Sequence, residues 1–482
     1  MEMKNLYPNH VWEIFDAITK VPRPSKKEER IIEYLIAFAK EHNLEWQRDD
    51  IGNVVIRKGA TAGYENKPTV ILQSHMDMVC EKNSGVEFDF ENDAINTVVD
   101  GEWVRAEGTT LGADDGIGMA AALAMLIDPE VEHGPIEALF TVDEETGLTG
   151  AFNLGEGMLT GKYLINLDSE DEGEIFIGCA GGIDTVATFD CPREAAPADY
   201  AFYRFEVSDL LGGHSGDDIN KGRANSNKIV ARLLYEAQQA FGARVSYIDG
   251  GNLRNAIPRE AWAVFGVPQD KQQAFDMRYG DFASQIKEEW RLTEPDMKLS
   301  LNIMGRVDDV MTLKAQQALI GTMIAVPNGV LAMSQAVEGL VETSTNLASV
   351  KFEQDDKVVV TTSQRSSVES AKLYAMQSVE STFLLAGAAV EHSDGYPGWS
   401  PNPYSMLLKR TVSSYEQLFG VKPVVRAVHA GLECGLFLEK YPSLEMVSFG
   451  PTVRGVHSPD ERLNIDTVDK FWQLLKQVVK SI

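Results

Sequence analysis

Strand-like runs alternate with helical stretches along the N-terminal part of this chain, and charged clusters sit where those strands end. Ser74-His75-Met76-Asp77 follows the run 69–73, Asp143-Glu144-Glu145-Thr146-Gly147 follows the run that begins at 136, and Asp168 closes 163–167. Gly112-Ala113-Asp114-Asp115-Gly116 opens a helical stretch over 115–127, and Val456-His457-Ser458-Pro459 lies near the C-terminus. Such alternation predicts an open α/β sheet with flanking helices, whose ligands gather outside the carboxyl ends of the strands. Taken singly each cluster is weak evidence, since surface histidines, solvated acids and helix caps are common, and Asp143-Glu144-Glu145 is the sharpest of them. Together and in this order they point to a two-metal hydrolytic site.

The chemistry asks for these residue types. A metal pair needs oxygen and imidazole ligands, a carboxylate able to bridge, and an open position for water. Asp77, two residues after His75, can accept the second imidazole N–H and fix the tautomer. Asp114, at a strand-to-helix turn, can bridge. Adjacent residues on a continuing strand face opposite ways, so Glu144 and Glu145 meet one site only if the strand ends there, and Thr146-Gly147 supplies that ending. One glutamate can then bind metal while the other moves a proton. His429, which opens His429-Ala430-Gly431-Leu432-Glu433-Cys434-Gly435, stays undecided.

Residues 8–48 read as two amphipathic helices, with Ser25 as N-cap of the second and Glu28 three residues later. Near Ala187 the pattern turns to α+β: strands at 203–207, 245–248, 261–267, 298–303 and 357–362, and helices at 227–240 and 368–385. The expected organisation is a catalytic domain, residues 1–186 and 387–482, interrupted by a lid domain at 187–386, with hinges near Ala187 and Ala386.

The chain has 482 residues and a formal net charge of −28. That balance argues against nucleic acid or an anionic membrane as partner. The first twelve residues lack the apolar core of a signal peptide, and no apolar run is long enough to span a bilayer. Four widely spaced cysteines without a C-x-x-C fit reduced thiols and a cytoplasmic location.

The ordered set His-x-Asp, Gly-Ala-Asp-Asp-Gly, Asp-Glu-Glu-x-Gly, Leu-Asp-Ser, Gly-Gly-His-Ser-Gly and Gly-x-His-Ser-Pro resembles the co-catalytic zinc peptidase and aminoacylase clan. Within it, Gly108-Thr109-Thr110-Leu111-Gly112-Ala113-Asp114 and Asn252-Leu253-Arg254-Asn255-Ala256-Ile257-Pro258 are similar to the aminoacyl-histidine dipeptidases, the Xaa-His dipeptidases that include bacterial carnosinases. The resemblance implies a di-zinc metallopeptidase that cleaves dipeptides, including β-alanyl-histidine, with metal-activated water and a glutamate base. It implies Asp114 as bridge, His75 and Asp168 on one metal, Glu145 and His457 on the other, Glu144 as general base and Asp77 as the residue orienting His75. It further implies a cis Asp114–Asp115 peptide, His214 on the oxyanion, and Asn255, Arg365 and Gly435 at the substrate carboxylate. Where relatives read Gly-Ala-Asp-Asn-Gly, this chain has Asp115, which makes the locality more negative. Zn²⁺ suits the ligands, with Mn²⁺ or Co²⁺ as alternatives. A homodimer is implied by analogy. Another amide hydrolase of the clan, a tripeptidase, a broad dipeptidase or an N-acyl amino acid deacylase, shares the same metal residues and stays open.

Overall fold

The computed structural model describes residues 2–354 and 356–482. The chain forms two compact units, the first made of Met1–Gly178, Pro401–Ala427 and Glu433–Ile482, the second of Cys179–Ser400 and Val428–Leu432. The junctions differ from those expected at Ala187 and Ala386. Gly181–Asp190 is one strand paired with Lys357–Ser366 along its whole length, so it cannot be divided at 187. Ala389–His392 pairs with that same strand and is carried into the second unit with it.

The first unit is built on an eight-stranded sheet in the order Glu45–Arg48, Val54–Lys58, Ile136–Thr141, Val70–His75, Tyr163–Asn166, Glu445–Ser448, Glu174–Cys179, Val424–Val428. The α/β expectation holds. The four central strands run parallel, 70–75 with 136–141 and 163–166, and 163–166 with 445–448. Val70–His75, Ile136–Thr141 and Tyr163–Asn166 are buried at every position, as parallel strands covered on both faces must be. Because they are parallel, their carboxyl ends share one edge. The helix Ala113–Ile127 packs on Val70–His75 and is apolar nearly all round, so it too is buried.

Two local expectations fail. Glu45–Arg48, expected as the end of the second helix, is a strand paired with Val54–Lys58. The second helix starts at Glu29 with Glu28 as N-cap, and Ser25 does not cap it. The Ser25 hydroxyl donates instead to Asp77 Oδ2 at 2.7 Å. A buried carboxylate outbids a helix end for that hydroxyl, because its desolvation costs more.

The second unit holds a nine-stranded sheet in which all neighbours are antiparallel. Its two halves, one ending in Arg244–Gly250 and the other beginning with Val341–Phe352, meet at the pair Gly250↔Val350. Its core is aromatic, with Tyr203, Phe205, Phe265, Phe275 and Phe383 all almost fully buried. Each such side chain contributes roughly 1.5–3 kcal/mol of burial. The strand expected at 357–362 extends to Ser366, which sets Arg365 inside the sheet between Ser344 and Gly182.

Candidate metal centre and the polar row of the second unit

His75 is the last residue of its strand and is 1% exposed. Its Nε2 stands 3.0 Å from Asp114 Oδ1 and 3.6 Å from Asp168 Oδ1, while Nδ1 faces Asp77 Oδ1 at 3.4 Å. Asp77 is held in turn by the backbone N–H groups of Glu144 at 3.0 Å and Glu145 at 3.3 Å. Asp143 takes φ 49°, a left-handed turn that ends the preceding strand and starts the short helix Glu144–Gly147. Its carboxylate fixes that turn by accepting from the hydroxyls of Thr146 and Thr149. The two glutamates therefore leave the strand on a helical turn.

His457, in the turn between the paired strands Val453–Arg454 and Arg462–Asn464, places Nε2 at 3.2 Å from Asp114 Oδ2 and 3.0 Å from Glu145 Oε2. The peptide between Asp114 and Asp115 is cis. The structure thus brings His75, Asp77, Asp114, Glu145, Asp168 and His457 into one cluster, with Glu144 adjoining through its backbone bond to Asp77. One ligand atom each from His75, Asp114 and Glu145 lie within 4.8 Å of one another, as ligands around a cation do.

The cluster's charges are far from ordinary. Burial pushes the Asp168 carboxyl up to about 7 and holds that of Glu144 well above the usual range, with Asp168, Glu433 and Glu145 adding repulsion to the latter. Burial opposes the charge on Asp114, yet the imidazoles of His457 and His75 hold it far below the carboxylate range. Glu145 Oε1 is buried and has no hydrogen-bond partner. Several buried carboxylates converging on two imidazoles, one oxygen unsatisfied, is a costly arrangement by itself and is what a divalent cation relieves. The donor set of nitrogens and carboxylate oxygens fits a borderline metal such as zinc.

Asp115 is buried, and burial raises its carboxyl well above the carboxylate range. Gly118 makes room for it, since a Cβ there would stand 2.2 Å from Asp115 Oδ1.

In the second unit, His214, Asn255 and Arg365 come together. Gly213–His214 pairs with Ala256–Ile257, and Ser215 N–H donates to the Asn255 carbonyl at 2.8 Å. His214 Nε2 lies 3.5 Å from Arg365 Nη2. Arg365 Nη1 donates to Tyr396 Oη at 2.9 Å, and Ser344, its neighbour across the sheet, bonds His429 Nε2 at 2.7 Å. The row His429, Ser344, Arg365, Gly182, Tyr396 thus runs across five segments of the chain. Gly435 belongs to the first unit, buried in the first turn of the helix Cys434–Lys440. Gly431, four residues earlier, lies instead in the second unit, where a Cβ would stand 2.9 Å from the Tyr396 ring.

Sequence reasoning passed over several residues. Gln73, Asn166 and Ser448 lie side by side on neighbouring strands and form a buried chain of hydrogen bonds: Gln73 Nε2 to Glu433, Asn166 Nδ2 to Gln73, Ser448 to Asn166. Burial pushes the Glu433 carboxyl up to about 8. The signal for these was a polar residue at the same register of three apolar strands. Tyr396 left only the run Gly395-Tyr396-Pro397-Gly398, a turn by composition.

Residues 71–481 match peptidase family M20/M25/M40. The chain belongs to that family. It is 43% identical over 481 residues to the cytosol non-specific dipeptidase of Escherichia coli strain K12, covering 100% of this chain and 99% of that one. It is 44% identical to the crystal structure of aminoacylhistidine dipeptidase from Vibrio alginolyticus, with a TM-score of 0.95 and coverage of 100% and 98%. An aminopeptidase structure from Bacillus cereus, 16% identical with a TM-score of 0.57 and 98% coverage of both chains, shares the fold. The protein is a peptide hydrolase.

Proposed function

We propose that this peptidase hydrolyses dipeptides at a pair of divalent metal ions, zinc in the first instance. Asp114 would be shared between them, with His75 and Asp168 holding one and Glu145 and His457 holding the other. The observation that carries this reading is that the two oxygens of Asp114 face two different histidines, at 3.0 and 3.2 Å. Bound there, the metals would polarise the scissile carbonyl and acidify water.

Glu144 is the base. Its carboxylate takes a proton from water and returns it to the leaving amine nitrogen. Asp77 keeps the His75 ring oriented through Nδ1. His214 supplies a proton donor to the developing oxyanion. In support, the N–H groups of Gly216 at 3.3 Å and Asp217 at 3.2 Å reach its Nδ1 and fix the orientation of the ring. Burial and the Arg365 charge lower its proton affinity and keep it neutral. Arg365 and Asn255 hold the substrate carboxylate, which favours short peptides. Gly435 was expected there too; its burial in a helix favours Gly431 as the backbone near that row.

The names of the two relatives set the range for specificity, from dipeptides ending in histidine to dipeptides at large. A cytosolic location is supported by the likeness to the cytosol non-specific dipeptidase of E. coli. Among the described residues no helix is long and apolar enough to cross a membrane. The homodimer rests on family resemblance alone.

The test is a panel of dipeptides, including β-alanyl-histidine, assayed with chelator and with restored Zn²⁺. Chelator-sensitive cleavage of dipeptides is the expected result, and a preference for C-terminal histidine would narrow the substrate class. Turnover of acyl-amino acids but of no dipeptide would overturn the proposal.

A further inference from the structure

Glu461 and Arg23 are buried charges, 2% and 1% exposed, that neither bind substrate in the reading above nor belong to its metal ligands. Both are spent on backbone. The Glu461 carboxylate accepts four successive N–H groups: Leu111 at 2.7 Å and Gly112 at 2.9 Å through Oε2, Ala113 at 2.7 Å and Asp114 at 3.3 Å through Oε1. The Arg23 guanidinium donates to carbonyls, to Met76 at 3.1 Å and Asp77 at 2.6 Å through Nη1, and to Gly112 through Nη2. Gly112 is the hinge of the pair, giving its N–H to Glu461 and its carbonyl to Arg23. It adopts φ 70°, and a Cβ there would stand 2.6 Å from Arg23 Nη2, so only glycine fits.

These contacts have one consequence for geometry. The segment 111–114 ends in the carboxylate that faces both histidines, and 75–77 carries His75 and Asp77. Arg23 ties one segment to the other. Glu461 ties the first to the loop that bears His457, four residues earlier. Three chain regions that supply candidate ligands are therefore locked by two charges through charge-assisted hydrogen bonds, the stronger class. Neutral partners would leave four N–H groups and three carbonyls poorly satisfied in a dry interior.

We propose that Glu461 and Arg23 are positioning residues for the metal centre, setting Asp114 in place between the two histidines. The inference rests on the metal-binding reading of the cluster. Supporting residues of this kind change metal affinity about 10–100-fold.

The experiment measures Zn²⁺ affinity by competition with a chromogenic chelator for the wild type, E461Q, E461D and R23K, alongside the thermal unfolding of each metal-free protein. E461Q keeps the shape but turns an amide NH₂ toward N–H donors, so its Zn²⁺ binding is expected to weaken at least about tenfold. E461D retains the charge and should recover part of that loss, and R23K should fall between. A purely structural role would lower the unfolding temperature of the metal-free protein and leave Zn²⁺ affinity of the folded fraction unchanged, which overturns the inference. Should E461Q not fold, wild-type affinity in both E461D and R23K has the same force. Absence of Zn²⁺ binding by the wild type would instead strike the metal reading itself.

Discussion

His457 and Asp114 are separated by 343 positions in the chain, and their side chains meet at 3.2 Å. That contact takes one oxygen of Asp114, and His75 takes the other at 3.0 Å. Losing Asp114 should therefore empty the centre of both metals, whereas losing His457 or Asp168 should empty one side. Metal analysis of D114A, H457A and D168A after equilibration in Zn²⁺ checks this. Retention of full metal content by D114A would rule out the bridge.

Glu144 lies beside the cluster and is held there through its own N–H to Asp77. Glu144→Gln keeps the volume and removes the carboxylate proposed as base. The expected fall in kcat is about 10²–10⁴-fold with metal content unchanged. A variant that loses metal along with activity would mean Glu144 is a ligand.

Tyr396 stands behind the guanidinium of Arg365, its hydroxyl 2.9 Å from Nη1. Tyr396→Phe keeps the ring that packs on Gly182 and removes one bond to a charged group, worth roughly 1.5–3 kcal/mol. KM for a dipeptide with a free carboxylate should rise about tenfold or more, with kcat affected less. A C-terminally amidated dipeptide should not sense the change, and an equal loss on both substrates would count against a carboxylate site.

His429 is buried and neutral; burial, then Arg365, then His214 hold its pKa at about 3, against 6.5 for a free imidazole. Below pH 6.5 the unfolded chain takes up a proton that the folded protein refuses, so acid favours unfolding. Stability from this residue is complete above about 6.5 and is lost on the way down toward 3, at roughly 1.4 kcal/mol per pH unit. Urea unfolding of wild type and His429→Gln between pH 7 and 4 reads the difference. The wild type should lose more stability than the variant as pH falls, and a constant gap would place His429 elsewhere than in a dry row.

Much of the first unit was legible because its signals are local. Val70–His75 and Ile136–Thr141 announce themselves as apolar runs, and their acids follow directly. The strand bearing Arg365 was read short, since Ser363, Gln364 and Arg365 look like a loop until their partners in Gly181–Asp190 bury them. Ser25 looked like a cap because a cap is judged from four residues, while Asp77, its actual partner, is 52 positions away.

The sequence by itself determined the chemistry available: which acids and histidines exist, that they follow strands, and that Asp143-Glu144-Glu145 must turn. Only the tertiary structure decided which of them meet. Parallel pairing of four strands brings their carboxyl ends to one edge, and buried charges such as Glu461 and Arg23 fix the loops beyond it. Those choices depend on desolvation and on partners hundreds of residues apart, and neither quantity is written in the local pattern of a chain.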